Sequence, residues 1–313
     1  MMVPAAPSRG WSPWNSAWVL LALTNLFWAG NIVLGRGLAG HVPPVTLALG
    51  RWGGAFLIAF GFALGSLRRD WPVLLRHWKL MLVLALTGIA TYNTFSYIGL
   101  NGTTALNVLL LQSAMPLIII VWAFLLFGER PSLRQAGGVM LSLAGVLAIA
   151  AHGSLTDLAH LALNRGDLWI IGAMVIYGPY SVLVRRRPAV HPLSFLVTAM
   201  GIGTLMILPF AVAELAGGAR IEASATAWIG IAYTAVFPSF LAYLFFNRGV
   251  ELAGSALAGQ SMHLMPVFGS VLAVLFLGEA FRLYHAAGIA LIAAGILLAT
   301  TGAPAATLHP KRT

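Results

Sequence analysis

Ten apolar stretches of roughly 20 residues, each long enough to cross a hydrocarbon core, run through this chain. They lie near 17–38, 44–66, 79–99, 104–127, 133–151, 167–185, 193–213, 225–246, 255–277 and 283–302, with short, polar or Gly/Pro-containing joints between them. Of the 313 residues 59% are hydrophobic and 8% charged, where a soluble domain carries about 25% charged. So little charge cannot wet the surface of so apolar a chain, and lipid must be its main solvent. Strands of a membrane barrel alternate apolar and polar residues. These runs are continuously apolar, which makes the fold an all-α integral membrane protein of ten transmembrane helices with the bilayer as its first partner.

The formal net charge of +10 is a topology signal rather than a nucleic-acid footprint, so no nucleic acid partner is expected. Lys and Arg accumulate in cytoplasmic joints. Here they follow the even-numbered helices, as Arg68, Arg69, Arg76 and Lys79, then Arg130 and Arg134, Arg185 to Arg187, Arg248, and Lys311 with Arg312. The alternate joints hold most of the acids: Asp157, Asp167, Glu214, Glu222 and Glu279. Both termini are therefore expected in the cytoplasm. The absence of cysteine excludes disulfides and thiol-bound metal, and no cofactor or metal is expected. The first 16 residues lack a charged n-region and cleavage site, so the first helix is expected to stay.

The chain repeats itself. Pro116 and Pro266, Glu129 and Glu279, Gly99 and Gly249, Gly138 and Gly288, and Gly145 and Gly295 each stand 150 residues apart; nearer the N-terminus the offset is 149, pairing Pro43 with Pro192 and Trp28 with Tyr177. Ungapped matches of Pro, Glu and Gly across two helices and their joint indicate duplication. Five helices per copy is an odd number, so the second copy enters the membrane from the opposite side, giving two inverted repeats of the kind that surround a midplane site in secondary transporters. The expected division is a cytoplasmic segment 1–16, a first repeat 17–151, an outer linker 152–166, a second repeat 167–302 and a cytoplasmic tail 303–313.

Matched polar and aromatic residues mark an expected cavity lining. The third helix offers Tyr92, Asn93 and Tyr97; Asn93 and Tyr97, four apart, share one helical face, and Tyr243 and Asn247, with Ser239 a turn earlier, answer in the eighth helix. The first helix has Thr24, Trp28 and Asn31, and the sixth Tyr177 and Tyr180. Gln112 precedes Pro116 in the fourth helix; Gln260 and His263 precede Pro266 in the ninth. Such prolines free backbone groups and permit kinks, so both are candidate hinges. Amides and phenols at membrane depth need partners or water. They either line a wet passage or simply bond helix to helix.

The fifth and tenth helices carry almost nothing polar at depth and read as peripheral packing or dimer-forming helices, so a homodimer is among the expectations. Trp14, Trp18, Trp71, Trp78, Trp169 and Trp228 suit an interfacial belt. No Asp or Glu lies in the middle third of any helix, which disfavours a carboxylate proton relay. Arg51, about two turns into the second helix, either binds a substrate carboxylate or ties helices through carbonyls. His263 either titrates near neutral pH or is merely packed.

Trp28-Ala29-Gly30-Asn31, Arg51 in "GRWGGAFLIA", and the paired "MP…FGER…AGG" and "MP…LGEA…AAG" blocks resemble the drug/metabolite transporter superfamily, EamA type, over nearly the whole chain. That resemblance implies helices one to four and six to nine around a central cavity, with five and ten outside. It also implies an inner-membrane exporter of amino acids or related metabolites, similar in its aromatic lining to the aromatic amino acid exporter branch. Asn, Tyr, Gln and Arg would hold a zwitterion, and aromatic walls would suit a neutral side chain. The alternative is a multidrug or other metabolite exporter of the same superfamily, although a multidrug exporter would want a carboxylate at depth and a phosphate-ester antiporter several basic residues; a non-transporting scaffold or sensor comes after it, and a channel stays open. No catalytic constellation is present, so an enzyme is not expected. Without a buried carboxylate, facilitated diffusion or exchange leads, and proton linkage through His263 follows.

Overall fold

The computed structural model describes residues 12–112, 114–130, 132–150, 164–262 and 264–300. Much of the expected N-terminal segment, outer linker and C-terminal tail thus lies outside the described residues. Everything regular among them is helical. The helices are α1 (Ala17–Gly37), α2 (Pro44–Arg76), α3 (Trp78–Leu84), α4 (Tyr92–Leu100), α5 (Ala105–Gln112), α6 (Met115–Phe127) and α7 (Leu133–Ala150). They continue as α8 (Arg165–Leu183), α9 (Pro192–Ala216), α10 (Ala225–Ala235), α11 (Ala242–Ser261), α12 (Leu264–Leu277) and α13 (Leu283–Thr300). Two π-helical segments, Ala85–Thr91 and Val236–Leu241, join α3 to α4 and α10 to α11.

Local chemistry sets the ends. Pro44 and Pro192 open α2 and α9, where a missing N–H costs nothing. Gly128 and Gly278, at φ +66° and +65°, turn the chain out of α6 and α12 in the left-handed conformation that suits glycine. α2 runs ten residues past its expected end, because Leu67, Arg68 and Arg69 are good helix formers that need not leave the helix to reach water.

Six stretches are each long and apolar enough to cross a membrane: Ala17–Gly37, Pro44–Arg76, Trp78–Leu100, Arg165–Arg186, Pro192–Ala216 and Ala225–Ala253. Ala105–Gln112 and Leu117–Phe127, bent by 47°, make a seventh if taken together, while Leu264–Leu277 and Leu283–Gly295 are apolar but shorter. Leu57, Phe62, Leu205, Phe210 and Phe276 point outward, and the six expected interfacial tryptophans are all exposed. A surface this apolar needs lipid.

The expected joint between the eighth and ninth stretches falls inside α11. Yet α11 is not straight. Thr24 and Asn25 are chain neighbours on α1; Thr24 Oγ1 donates to the Ala242 carbonyl at 3.3 Å and Asn25 Nδ2 to Ser261 Oγ at 3.1 Å. A straight helix would hold those partners about 28 Å apart at 1.5 Å per residue. Gly249 packs on Leu21, further toward the start of α1, so the chain turns back between Gly249 and Ser261.

The prolines differ from expectation. Neither sits in mid-helix: the fourth stretch breaks between α5 and α6, Pro116 falls in the first turn of α6 and Pro266 is the third residue of α12. Proline is tolerated there because first-turn N–H groups have no intrahelical acceptor.

α2 packs along α9, α1 against α11 and α12, α8 against α4 and α6, α5 against α12, and α7 along α13. The last pair makes reciprocal contacts. A methyl on Gly145 would lie 2.7 Å from the Gly288 carbonyl oxygen, one on Gly295 2.5 Å from that of Gly138, and Ser142 Oγ donates to the Ile292 carbonyl at 3.1 Å. Position rises on one helix as it falls on the other, so the two run antiparallel. Their small faces, expected for packing or dimer formation, are used on each other.

Candidate functional site

The site starts from two π-helical turns. A π turn shifts the hydrogen-bond ladder by one residue and leaves carbonyls to be satisfied from side chains. In Val236–Leu241 the cause is Pro238, which has no N–H for the Thr234 carbonyl; Ser239 Oγ donates to that carbonyl instead, at 2.9 Å. In Ala85–Thr91, Asn93 Nδ2 donates to the carbonyls of Gly88 (3.2 Å) and Ile89 (3.1 Å). Each side chain is thereby held with an oxygen facing inward. Gly88 is glycine because Tyr180 lies flat on it: a methyl there would be 2.3 Å from the ring.

Both oxygens meet Arg51. This residue is 5% exposed, and its Nε donates to Ser239 Oγ at 2.7 Å while Nη1 donates to Asn93 Oδ1 at 2.9 Å and Tyr97 Oη at 3.2 Å. Tyr97 gives its only proton to Asn31 Oδ1 at 2.7 Å, so toward Arg51 it can only accept. The guanidinium carbon stands 4.7 Å over the Trp52 ring. Four spans thus converge on one buried cation, and every partner is neutral.

Aromatic rings surround this cluster. Tyr92 and Tyr177 lie 4.5 Å apart between ring centres, and Tyr177 and Tyr180 5.1 Å apart. Trp28 and Trp52 both pack on Tyr243, at 5.9 and 6.4 Å, and Trp28 Nε1 donates to the Pro238 carbonyl at 3.1 Å. Trp28, Asn31, Arg51, Tyr92, Asn93, Tyr97, Tyr177, Tyr180, Ser239 and Tyr243 therefore form one neighbourhood.

Other expected lining residues stand apart. Gln112, at the end of α5, and Asn247, a turn beyond Tyr243, are half-buried, and their side chains hydrogen-bond to no described residue. His263 and the side chain of Gln260 lie outside the described residues. Thr24 serves the Leu20 and Ala242 carbonyls rather than a wet lining. Trp52 escaped the sequence reading, although it adjoins Arg51 and is wholly buried.

A second polar cluster, also missed, ties one end of the bundle. His285 Nε2 and Asn107 Oδ1 are 3.0 Å apart; Asn107 Nδ2 donates to Thr103 Oγ1, which donates to Asp167 Oδ1 at 2.5 Å. Beside it Glu279 accepts from the N–H groups of Ala105 and Leu106, both at 2.8 Å. No metal-holding group of His, Asp and Glu occurs among the described residues.

The EamA-like transporter family model matches this chain twice, over residues 15–151 and 164–301. The uncharacterized transporter YyaM of Bacillus subtilis is 25% identical over 90% of this chain and 93% of its own. A protein of Streptantibioticus cattleyicolor named a probable terminal-alkyne amino-acid exporter is 27% identical over 91% and 93%. A solved crystal structure at 22% identity superposes with a TM-score of 0.59 over 91% of this chain and 96% of the other, a likeness of fold. Apolar helices, an outward apolar surface and a twice-matched family model agree: this is a multi-pass membrane transporter of small molecules rather than an enzyme, and the chain belongs to the EamA-like transporter family of the drug/metabolite transporter superfamily.

Proposed function

We propose that this protein exports amino acids, aromatic or other neutral ones, and related metabolites across the cell's inner membrane by alternating access, with both termini cytoplasmic. The observation that carries this reading is the Arg51 cluster: a buried cation and a set of tyrosines and tryptophans drawn from both halves of the chain. The cation suits a carboxylate, and the rings suit an apolar or aromatic side chain. The relative named a probable terminal-alkyne amino-acid exporter supports the same class.

The architecture in this reading is ten helices in two inverted repeats, 17–151 and 167–302. The twice-matched family model supports it. So do the antiparallel, reciprocal contacts of α7 and α13, whose positions correspond at an offset of 150. Pro116 and Pro266, each in the first turn of its helix, are the hinges. Transport runs by facilitated diffusion or exchange, since the Arg51 cluster contains no carboxylate.

The test is flux in liposomes holding purified protein, with labelled Phe, Trp, Tyr, Met, Thr, Lys and Glu, with and without a pH gradient. Saturable flux of Phe, Trp or Tyr, indifferent to the gradient, is expected. Folded protein that carries none of the panel above empty liposomes would overturn the amino-acid reading.

A further inference from the structure

Arg51 carries a charge that nothing around it balances. A guanidinium stays protonated even when buried, and an unneutralised charge inside a membrane costs several kcal/mol or is met by partners and water. Here Ser239, Asn93 and Tyr97 take Nε and Nη1. They leave the Nη2 N–H pair with no acceptor among the described residues.

Three geometric facts make this a receptor rather than a strut. Each acceptor is already oriented by another bond, so the guanidinium is held before any ligand arrives: Asn93 by Gly88 and Ile89, Ser239 by Thr234, Tyr97 by Asn31. Preorganised donors of this kind lose little freedom on binding. The charge is also single: 149 residues on, the corresponding position holds the buried apolar Met200. Finally, the buried acids on the elements packed around it are engaged elsewhere, Asp70 with the His191 N–H at 2.9 Å and Asp167 with Thr103.

We propose that this site reads the net charge of its ligand through Arg51, requiring one carboxylate and not requiring the ammonium group. The site presents one fixed positive charge and no negative one. It therefore ranks ligands of equal shape as monoanion at least equal to zwitterion, and zwitterion above cation. The ligand class is a monocarboxylate with an apolar or aromatic tail, of which amino acids are one kind. This rests on the functional reading above and narrows it.

The experiment is competition at pH 7.5 against counterflow of labelled phenylalanine in proteoliposomes, with 3-phenylpropanoate and phenylalaninamide as the probes that delete the ammonium and the carboxylate. Phenylpropanoate is expected to compete at least as well as unlabelled phenylalanine, and the amide at least about tenfold worse, the loss of one charge-assisted hydrogen bond. Arg51→Gln should bring acid and amide within about threefold of each other, with Arg51→Lys keeping part of the difference. The ligand ranking in the unmodified protein stands as a test even where a variant does not fold. Phenylpropanoate more than about tenfold worse than phenylalanine, or amide equal to acid, would overturn the proposal while leaving amino-acid transport intact. Absence of any phenylalanine counterflow would instead remove the functional reading beneath it.

Discussion

Glu279 and Glu129 occupy corresponding places, each just after a left-handed glycine that ends a helix, yet they meet different partners. Glu279 accepts from two backbone N–H groups at the start of α5, both at 2.8 Å. Glu129 instead pairs with Arg185 at 2.6 Å, with both side chains about half exposed. The reason lies opposite them. Ala105 and Leu106 open a new helix, α5, whereas the residues 150 beyond them, Ser255 and Ala256, lie within α11 and not at its start. The same carboxylate therefore caps a helix at one end and forms an exposed ion pair at the other. Elsewhere the ends are alike: Glu214 accepts from Val45 and Thr46, and Asp70 from His191.

The difference teaches which end is firmly held. Alongside the Glu279 cap stand Thr103, Asn107, Asp167 and His285, all buried. Opposite, the Glu129–Arg185 pair is about half exposed, and exposed pairs contribute ~0–1 kcal/mol. The chain lacks cysteine, so a single Ala105→Cys, at a fully buried position, reports opening of the held end to an impermeant maleimide without background.

Thr103→Val should have the largest effect. It deprives the buried Asp167 carboxylate of one donor and should lower stability by about 2 kcal/mol, read as detergent-solubilised thermal unfolding, while speeding labelling at residue 105. Unchanged labelling would show that this cluster does not hold the end closed. Glu279→Gln keeps one acceptor and loses the charge at the N-terminus of α5, so about 1 kcal/mol is expected, again with faster labelling. Glu129→Gln should cost less than about 0.5 kcal/mol and leave labelling at 105 unchanged; an effect as large as that of Glu279→Gln would erase the contrast. Smallest of all, raising salt to 1 M, where screening acts within about 3 Å, should abolish even that cost without altering the effect of Glu279→Gln.

Much of the fold was legible because apolar runs of membrane length have few other uses. Asn93 and Tyr97 were legible as one face because four residues make about one helical turn, and both do reach Arg51. The π turns were not legible. Pro238 signals one of them, but its counterpart is Gly88, and a glycine reveals nothing until Tyr180 is seen lying on it. Nor was the buried quartet: His285 and Asn107 are 178 residues apart, and no periodicity links them. The prolines misled because an unbroken apolar run hides a helix break; Pro116 begins a helix rather than bending one.

The seam between α7 and α13 has a mechanical consequence. Each helix presents to the other the same patch that it receives, and in the proposed inverted-repeat architecture the two-fold axis passes through their crossing near Ser142 and Ile292. If the two halves exchange roles as access alternates, points on that axis map onto themselves and need not travel. The seam then acts as a fulcrum, fixed while the arms on either side swing. Bulk added at Gly145 or Gly295 would jam the pivot without touching the passage.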